Sequence, residues 1–385
     1  MRTAFQRKPY SHSAKQLGFT LTELLVALAL GLFLIGGVVS LFVSNQGNFK
    51  TNENLSRLQE SARFAVEQLS REIRDAGTTP CGIRAINSVI REDGAANTSI
   101  PWWADWNAGV VRGFDSNATI TGLNSVPFGT STAGLRVNNT DGIITLRTSF
   151  EEEAMYTVQS HNTSSSVITL DRPATRYANG QALMMCDGKS GAIFHLTGAP
   201  VGAEIEYLST AGRNCSTQLG WTKSVNCNVS ATYKQFEPGA FVTKYDPAFW
   251  YVGYTGVGDA TALYRATVVE QNVGGNRVPN MTRREMVPDV SGMQIEYLTR
   301  TNPTTATGTA VLSSNWVAAD HTTFDTANGG WSANNVNEAI AVRVTLTLTS
   351  KENVGTNTAG TSSEKLSRQS VFLISLRNRE IVPTK

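Results

Sequence analysis

The sequence predicts an α+β molecule: a long N-terminal α-helix, its first half suited to a membrane, followed by a large antiparallel β-rich globular head. Three observations predict it. Leu24–Val43 reads LLVALALGLFLIGGVVSLFV, 20 residues without a charge. From Asn52 onward, apolar residues recur three or four apart. Beyond Pro80 the pattern changes to short apolar runs separated by polar and Gly-rich breaks.

At about 1.5 Å per residue the apolar run spans roughly 30 Å, the thickness of a bilayer core. It is preceded by Arg2, Arg7, Lys8 and Lys15, with no acid before Gly18. That asymmetry places the N-terminus in the cytoplasm and the remainder outside. The order of regions differs from a secretory signal, in which the apolar stretch precedes the cleavage site. Removing those four cations leaves 29 basic against 31 acidic residues, so the body is near neutral and offers no electrostatic case for nucleic acid.

The helix is expected to continue past the membrane. Leu55, Leu58, Ala62, Ala65, Leu69 and Ile73 line one face, and Arg57, Glu60, Arg63, Glu67, Arg71, Glu72 and Arg74 surround the rest. Gly77 and Pro80 supply the stop. A continuous helix from Phe19 to Ala76 would measure about 87 Å. Gly31, Gly36 and Gly37 weaken its first half, and Gly36-Gly37 is the expected place for any local unwinding.

In the head, Ala341–Thr349 gives the clearest strand, with Val342, Val344, Leu346 and Leu348 alternating with Arg343 and threonines. Further strands are expected at Gly142–Thr148, Ser166–Asp171, Ala182–Cys186, Ala192–Thr197, Ala240–Lys244, Phe249–Tyr254, Ala262–Val269, Met293–Leu298 and Val371–Leu376. Thr301–Ser314, Thr322–Asn337 and Gly355–Ser363 read as surface loops. Gly274–Asn276 is the weakest point of the chain, not strong enough to divide it. Four cysteines, Cys81, Cys186, Cys215 and Cys227, lie beyond the membrane segment with no CxxC pair, which favours two disulfides over a metal site. Three connectivities are possible; the short spacing favours a Cys215–Cys227 loop bridge, which would leave Cys81 with Cys186.

Catalytic signatures are lacking. His12, His161, His195 and His321 have no partners at ligand spacing, Gly253–Gly258 lacks the Lys-Ser/Thr of a phosphate loop, and Glu151–Glu153 lacks the alternating oxygens of a calcium loop. No enzyme, cofactor or metal is expected. Trp102, Trp103 and Trp106 are read as a cap over the core in preference to an exposed patch.

The junction Gly18-Phe19-Thr20-Leu21-Thr22-Glu23 resembles the site cut by prepilin peptidase in type IV pilins and pseudopilins. The resemblance implies cleavage after Gly18, N-methylation of Phe19, and a role for Glu23 as the acidic fifth residue of the mature chain. Its expected partner is the free α-amine of a neighbouring subunit, a pairing that sets axial register. The division implied is a leader over 1–18, a pilin helix over 19–77 with its membrane segment at about 24–43, and a periplasmic head over 78–385. The ordered segments Arg74–Gly77 with Cys81-Gly82, Asp141–Ile144, Phe249–Val252, Leu263–Arg265, Val287–Tyr297, Val342–Leu346 and Leu376–Arg379 look like the PilW family of type IV pilus minor pilins. That resemblance implies a pilin-like fold, and a minor pilin that primes assembly and sits near the pilus tip. The partners implied are other minor pilins, the major pilin, prepilin peptidase, the inner-membrane assembly platform and a tip adhesin. A type II secretion pseudopilin and a ligand-binding tip module are the alternatives.

Overall fold

The computed structural model describes residues 18, 20–82, 86–92, 99–120, 122, 124–149, 151–209, 213–219, 234–273, 276–301, 311–319, 337–356 and 363–376. One helix, α1 (Leu21–Asp75), runs 55 residues, about 83 Å at the usual rise. It is continuous through Gly36-Gly37. Its two halves differ in surroundings. Leu21, Phe33 and Phe42 are 76%, 81% and 68% exposed, whereas Leu58, Ala65, Leu69 and Ile73 are buried. The apolar half therefore has no partner within the described chain, and the amphipathic half is part of the core. Gly77, at φ 80°, breaks the helix in a conformation that glycine adopts without strain.

Fifteen strands follow among the described residues: β1 (Ile86–Ser88), β2 (Val111–Phe114), β3 (Gly142–Thr148), β4 (Tyr156–Asn162), β5 (Val167–Leu170), β6 (Ala182–Cys186), β7 (Gly191–His195), β8 (Glu204–Glu206), β9 (Phe241–Tyr254), β10 (Thr261–Val273), β11 (Asn276–Pro288), β12 (Val290–Thr301), β13 (Val311–Ala318), β14 (Asn337–Thr356) and β15 (Ser363–Ser375). The fold is α+β, with a long apolar N-terminal helix and a β-rich head of antiparallel sheets. The parallel β1–β7 pair is the exception.

The larger sheet has eleven strands and turns on β9. The first half of β9 pairs with β6 and β4, and its second half with β3 and β10. The sequence suggested two strands here, Ala240–Lys244 and Phe249–Tyr254; the structure joins them. Pro247 pairs with Leu146 of β3, while the β6 ladder ends at Lys244 and the β10 ladder starts at Ala248. One-sided pairing leaves room for a residue with no N–H to donate. Gly274–Asn276 falls at the β10–β11 hairpin, whose last described pair is Val273 with Asn276, so no boundary lies there.

The smaller sheet runs β13-β12-β14-β15, all antiparallel. The loop readings of Thr301–Ser314 and Gly355–Ser363 give way in part to strand. β13 begins at Val311, β14 reaches Thr356 and β15 starts at Ser363, because ladder pairing extends into these polar ends. Of the third expected loop, residues 322–336 lie outside the described residues.

The inner face of the small sheet packs on α1. Leu58, Ala62, Ala65, Leu69 and Ile73 share one core with Val342, Val344, Leu346 and Leu348 of β14 and with Met293, Ile295 and Tyr297 of β12. Trp250 and Val252 of β9 close the same core from the large sheet. A second core holds Trp102, Trp103 and Trp106 with Phe249 and Tyr251, and a third lies around β4 to β8. The tryptophans are thus a cap over the core, as expected from their size.

Candidate assembly helix and its coupling to the head

Helix α1 begins with a complete capping box. The Glu23 N–H donates to Thr20 Oγ1 at 3.3 Å, and the Thr20 N–H donates to Glu23 Oε2 at 3.0 Å. The Thr20 hydroxyl also donates to Glu23 Oε2 at 3.0 Å. These bonds satisfy two of the orphan donors at the helix start, and they place a carboxylate at the positive end of the dipole. Glu23 therefore has a local structural use, which sequence reading alone did not assign to it.

Gly18 has open space where a Cβ would be, and its φ lies outside the left-handed region. Among the described residues nothing demands glycine there. Gly31, Gly36 and Gly37 likewise have no atoms within 4 Å of an added Cβ. Phe19 lies outside the described residues. By length and composition the first half of α1 can cross a membrane, and none of its apolar stretch is buried in the molecule. This arrangement fits a membrane-anchored single-pass protein.

At its other end α1 is fastened to the head by charge. Glu72 is buried, and its Oε1 accepts from Arg265 Nε at 3.0 Å and from Arg147 Nη2 at 3.2 Å. Thr145 Oγ1 donates to Glu72 Oε2 at 3.3 Å. Asp246 completes the cluster, bonded to Arg147 at 2.8 Å and to Arg265 at 3.0 and 3.1 Å. Its carboxylate and that of Glu72 hold the Arg265 guanidinium above its usual range, outweighing burial. Arg147 comes from β3 and Arg265 from β10, so two strands bond one helical carboxylate, and Asp246 of β9 braces both arginines. Sequence reading placed Glu72 among the solvated charges. The available signal was its position beside Ile73, on the edge of the apolar stripe. Farther along, Arg57 Nε meets Asp289 Oδ2 at 3.1 Å.

A disulfide adds a covalent tie. Cys81 and Cys186 are joined with their Cα atoms 6.1 Å apart, linking the segment after α1 to β6. Cys215 is disulfide-bonded as well, and its expected partner, Cys227, lies outside the described residues.

The remaining candidates in the head are structural. His161 Nδ1 accepts from the Phe236 N–H at 3.0 Å and its Nε2 meets Tyr207 Oη at 2.5 Å. Burial pushes this imidazole down to about 4. His195 stacks on Trp103 with ring centroids 5.7 Å apart, and burial brings it to about 3, so both rings are neutral at physiological pH. His12 and His321 lie outside the described residues. Of the acidic run, Glu151 pairs with Lys244 and Glu153 with Arg176. Among the described residues no group of three or more His, Cys, Asp or Glu could hold a metal.

The family description "Prokaryotic N-terminal methylation motif" matches residues 13–39. The chain carries a type IV pilin-type N-terminus. The matched segment covers Gly18, the capping box and the first part of the unpartnered helix. This match, with the helix and head described above, supports a structural pilin or pseudopilin-like protein, with pilins and the pilus assembly machinery as partners. No curated protein and no solved structure matches the chain.

Proposed function

We propose that this chain is a minor pilin of the type IV pilus, of the kind the PilW resemblance implies. In this reading it joins other minor pilins in the inner membrane and primes polymerisation of the major pilin. The observation that carries it is the methylation motif over residues 13–39, set on a helix whose apolar half has no partner among the described residues. Residues 1–18 are a leader, 19–77 the assembly helix and 78–385 the periplasmic head. Prepilin peptidase cuts after Gly18, and Phe19 becomes the methylated first residue. The absence of any fold requirement for glycine at position 18 supports a processing requirement instead.

Cleavage leaves Thr20 as the second residue, so the Thr20–Glu23 capping box survives while a new amine appears beside it. The Glu23 carboxylate holds Thr20 in its own helix and offers its charge to the α-amine of a neighbour. In a low-dielectric filament core an unpaired ion is costly, so this pairing selects one axial register. The large head favours a pilus over a secretion pseudopilin, and burial of Trp102, Trp103 and Trp106 gives no support to the tryptophan ligand patch of the binding-tip alternative.

The test is surface pilus abundance in a strain lacking the gene, with and without the retraction motor. Pili that vanish, and partly return when retraction is blocked, are expected of a priming subunit. Unchanged piliation in both backgrounds rejects the role.

A further inference from the structure

Among the described residues the small sheet ends on two strands paired on one side only, β15 at one edge and β13 at the other. Both carry exposed large apolar side chains: Val371 and Leu373 on β15 are 59% and 61% exposed, and Leu312 on β13 is 56% exposed. A long sheet edge presents a row of unpaired N–H and C=O groups, which proteins normally blunt with charge, proline or a bulge. On β15 those devices are missing from the exposed part, whereas β13 carries one, an irregularity opposite Leu298–Arg300 that falls between Trp316 and Leu312. Gln369–Leu376 (QSVFLISL) has no charge and no proline, and Val311–Ala318 (VLSSNWVA) has neither. The irregularities of the β14–β15 ladder lie between Thr349 and Gly355, away from Val371 and Leu373.

Strand direction decides what fits. β13 and β14 both run opposite to β12, and β15 runs opposite to β14. β15 is therefore antiparallel to β13. Two heads set side by side in the same orientation would bring β15 of one against β13 of the other as an antiparallel pair, the better bonded arrangement. Antiparallel pairing of β15 with its own copy requires a two-fold axis normal to the sheet. That axis would reverse α1, which lies on the sheet face, and two chains anchored in one membrane cannot have opposed helices.

We propose that β15 of this chain pairs with β13 of a second copy held in the same membrane, making one continuous antiparallel sheet. The contact is heterologous, so it leaves one free β13 and one free β15 at the ends and extends in one direction. The outward faces add apolar contact, since Val371 and Leu373 would stand beside the strand bearing Leu312 and Trp316. Near that strand Arg343 lies over the Trp316 ring at 4.7 Å and is fixed by Glu296 at 2.7 and 2.5 Å. This inference rests on the membrane-anchored reading of α1 given above.

Two differently tagged full-length chains, one Leu312→Cys and the other Val371→Cys, are co-expressed and treated in membranes with a short bis-maleimide. A cross-linked product carrying both tags is expected, at several times the yield of the Val371→Cys self-product. Adding Val371→Lys with Leu373→Lys, against a Leu312→Cys partner and a Ser375→Cys reporter, should abolish the product while leaving chain abundance unchanged. A dominant Val371→Cys self-product, or a cross-link to a different protein alone, overturns the second-copy assignment. Absence of any product from processed, membrane-embedded chains overturns edge pairing. Leader removal and membrane fractionation are scored on the same gels, so failure of the anchoring itself is seen separately.

Discussion

Asp115 and Asp141 follow the last β2–β3 pair, Phe114 with Gly142, so two acids face each other across the end of an antiparallel ladder. Asp141 is buried, takes a hydrogen bond from the Ile295 N–H at 2.7 Å, and donates its own N–H to Met293 at 2.9 Å. It thereby ties the large sheet to β12 of the small one. Burial, and a hydrogen bond with the neighbouring Asp115, raise its carboxyl to about 7 against the pull of Ile295 and Arg136. A group whose folded value is raised stabilises the fold most below its unfolded value, near 3.8, and loses that contribution as pH climbs through about 7. Asn mimics the protonated acid, accepting from Ile295 and donating to Asp115. Asp141→Asn is expected to be more stable than the parent above pH 7, by a few kcal/mol at about 1.4 kcal/mol per unit of displacement, and near parity below pH 4. Thermal melts of the full chain in detergent from pH 4 to 9 check this; parallel curves for the two proteins would reject it. Glu23 offers a second separation at this scale. Glu23→Gln can keep the capping box but not the charge, whereas Glu23→Ala loses both. Both variants should be processed normally and both should fail to enter pili. Gln-bearing subunits that assemble as well as the parent would assign Glu23 to helix capping alone.

The junction between α1 and the head concentrates two ties within ten residues of sequence, the Glu72 cluster and the Cys81–Cys186 bridge. Glu72→Ala removes one carboxylate from a cluster in which Asp246 still pairs with both arginines, so it is expected to lower stability by about 1–3 kcal/mol, the cost of leaving buried donors short of a partner. The disulfide spans a sequence separation of 105, and the double Cys81→Ser, Cys186→Ser variant should lose roughly 4–5 kcal/mol. Denaturant titration of each variant measures both; a loss under 1 kcal/mol in either would show that the junction is held by the apolar stripe instead. This junction also shows where sequence legibility ends. The stripe Leu58, Ala62, Ala65, Leu69 and Ile73 was readable because helical burial has a period. The alternation of Val342 to Leu348 was readable for the same reason. β11, with the run Thr282-Arg283-Arg284-Glu285, was not, because it is an edge strand held by backbone pairing to β10 and has no buried stripe to display. β1 and β8, of three residues each, are too short to carry any period. The Glu72 cluster joins residues 193 apart in sequence, and no local pattern announces it. Position 18 differs again, since the fold places no demand on it, and it was legible only through a motif.

At the scale of the whole chain, α1 belongs to two environments, and its dividing point is set by the head. Up to about residue 50 its side chains are largely exposed, apolar through Val43 and mostly polar from Ser44, while from Asn54 to Ile73 one face is sealed in the main core. The two halves should therefore behave oppositely when removed. A chain starting at residue 51 loses only surface that the head never covered, so it is expected to be soluble, monomeric at low concentration and cooperatively folded. A chain starting at residue 77 loses Leu58, Ala62, Ala65, Leu69 and Ile73 from the core shared with β12 and β14, and it also loses Glu72, leaving Asp246 to pair alone with Arg147 and Arg265. Burying each large aliphatic side chain contributes on the order of 1.5–3 kcal/mol, and the stripe's three, before any ion-pair loss, approach the total stability of many domains. The shorter chain is expected to aggregate or remain unfolded. Circular dichroism and size-exclusion chromatography of the two truncations decide the matter. A folded chain from residue 77 would mean that the head closes its core without the helix, and that α1 is a detachable anchor.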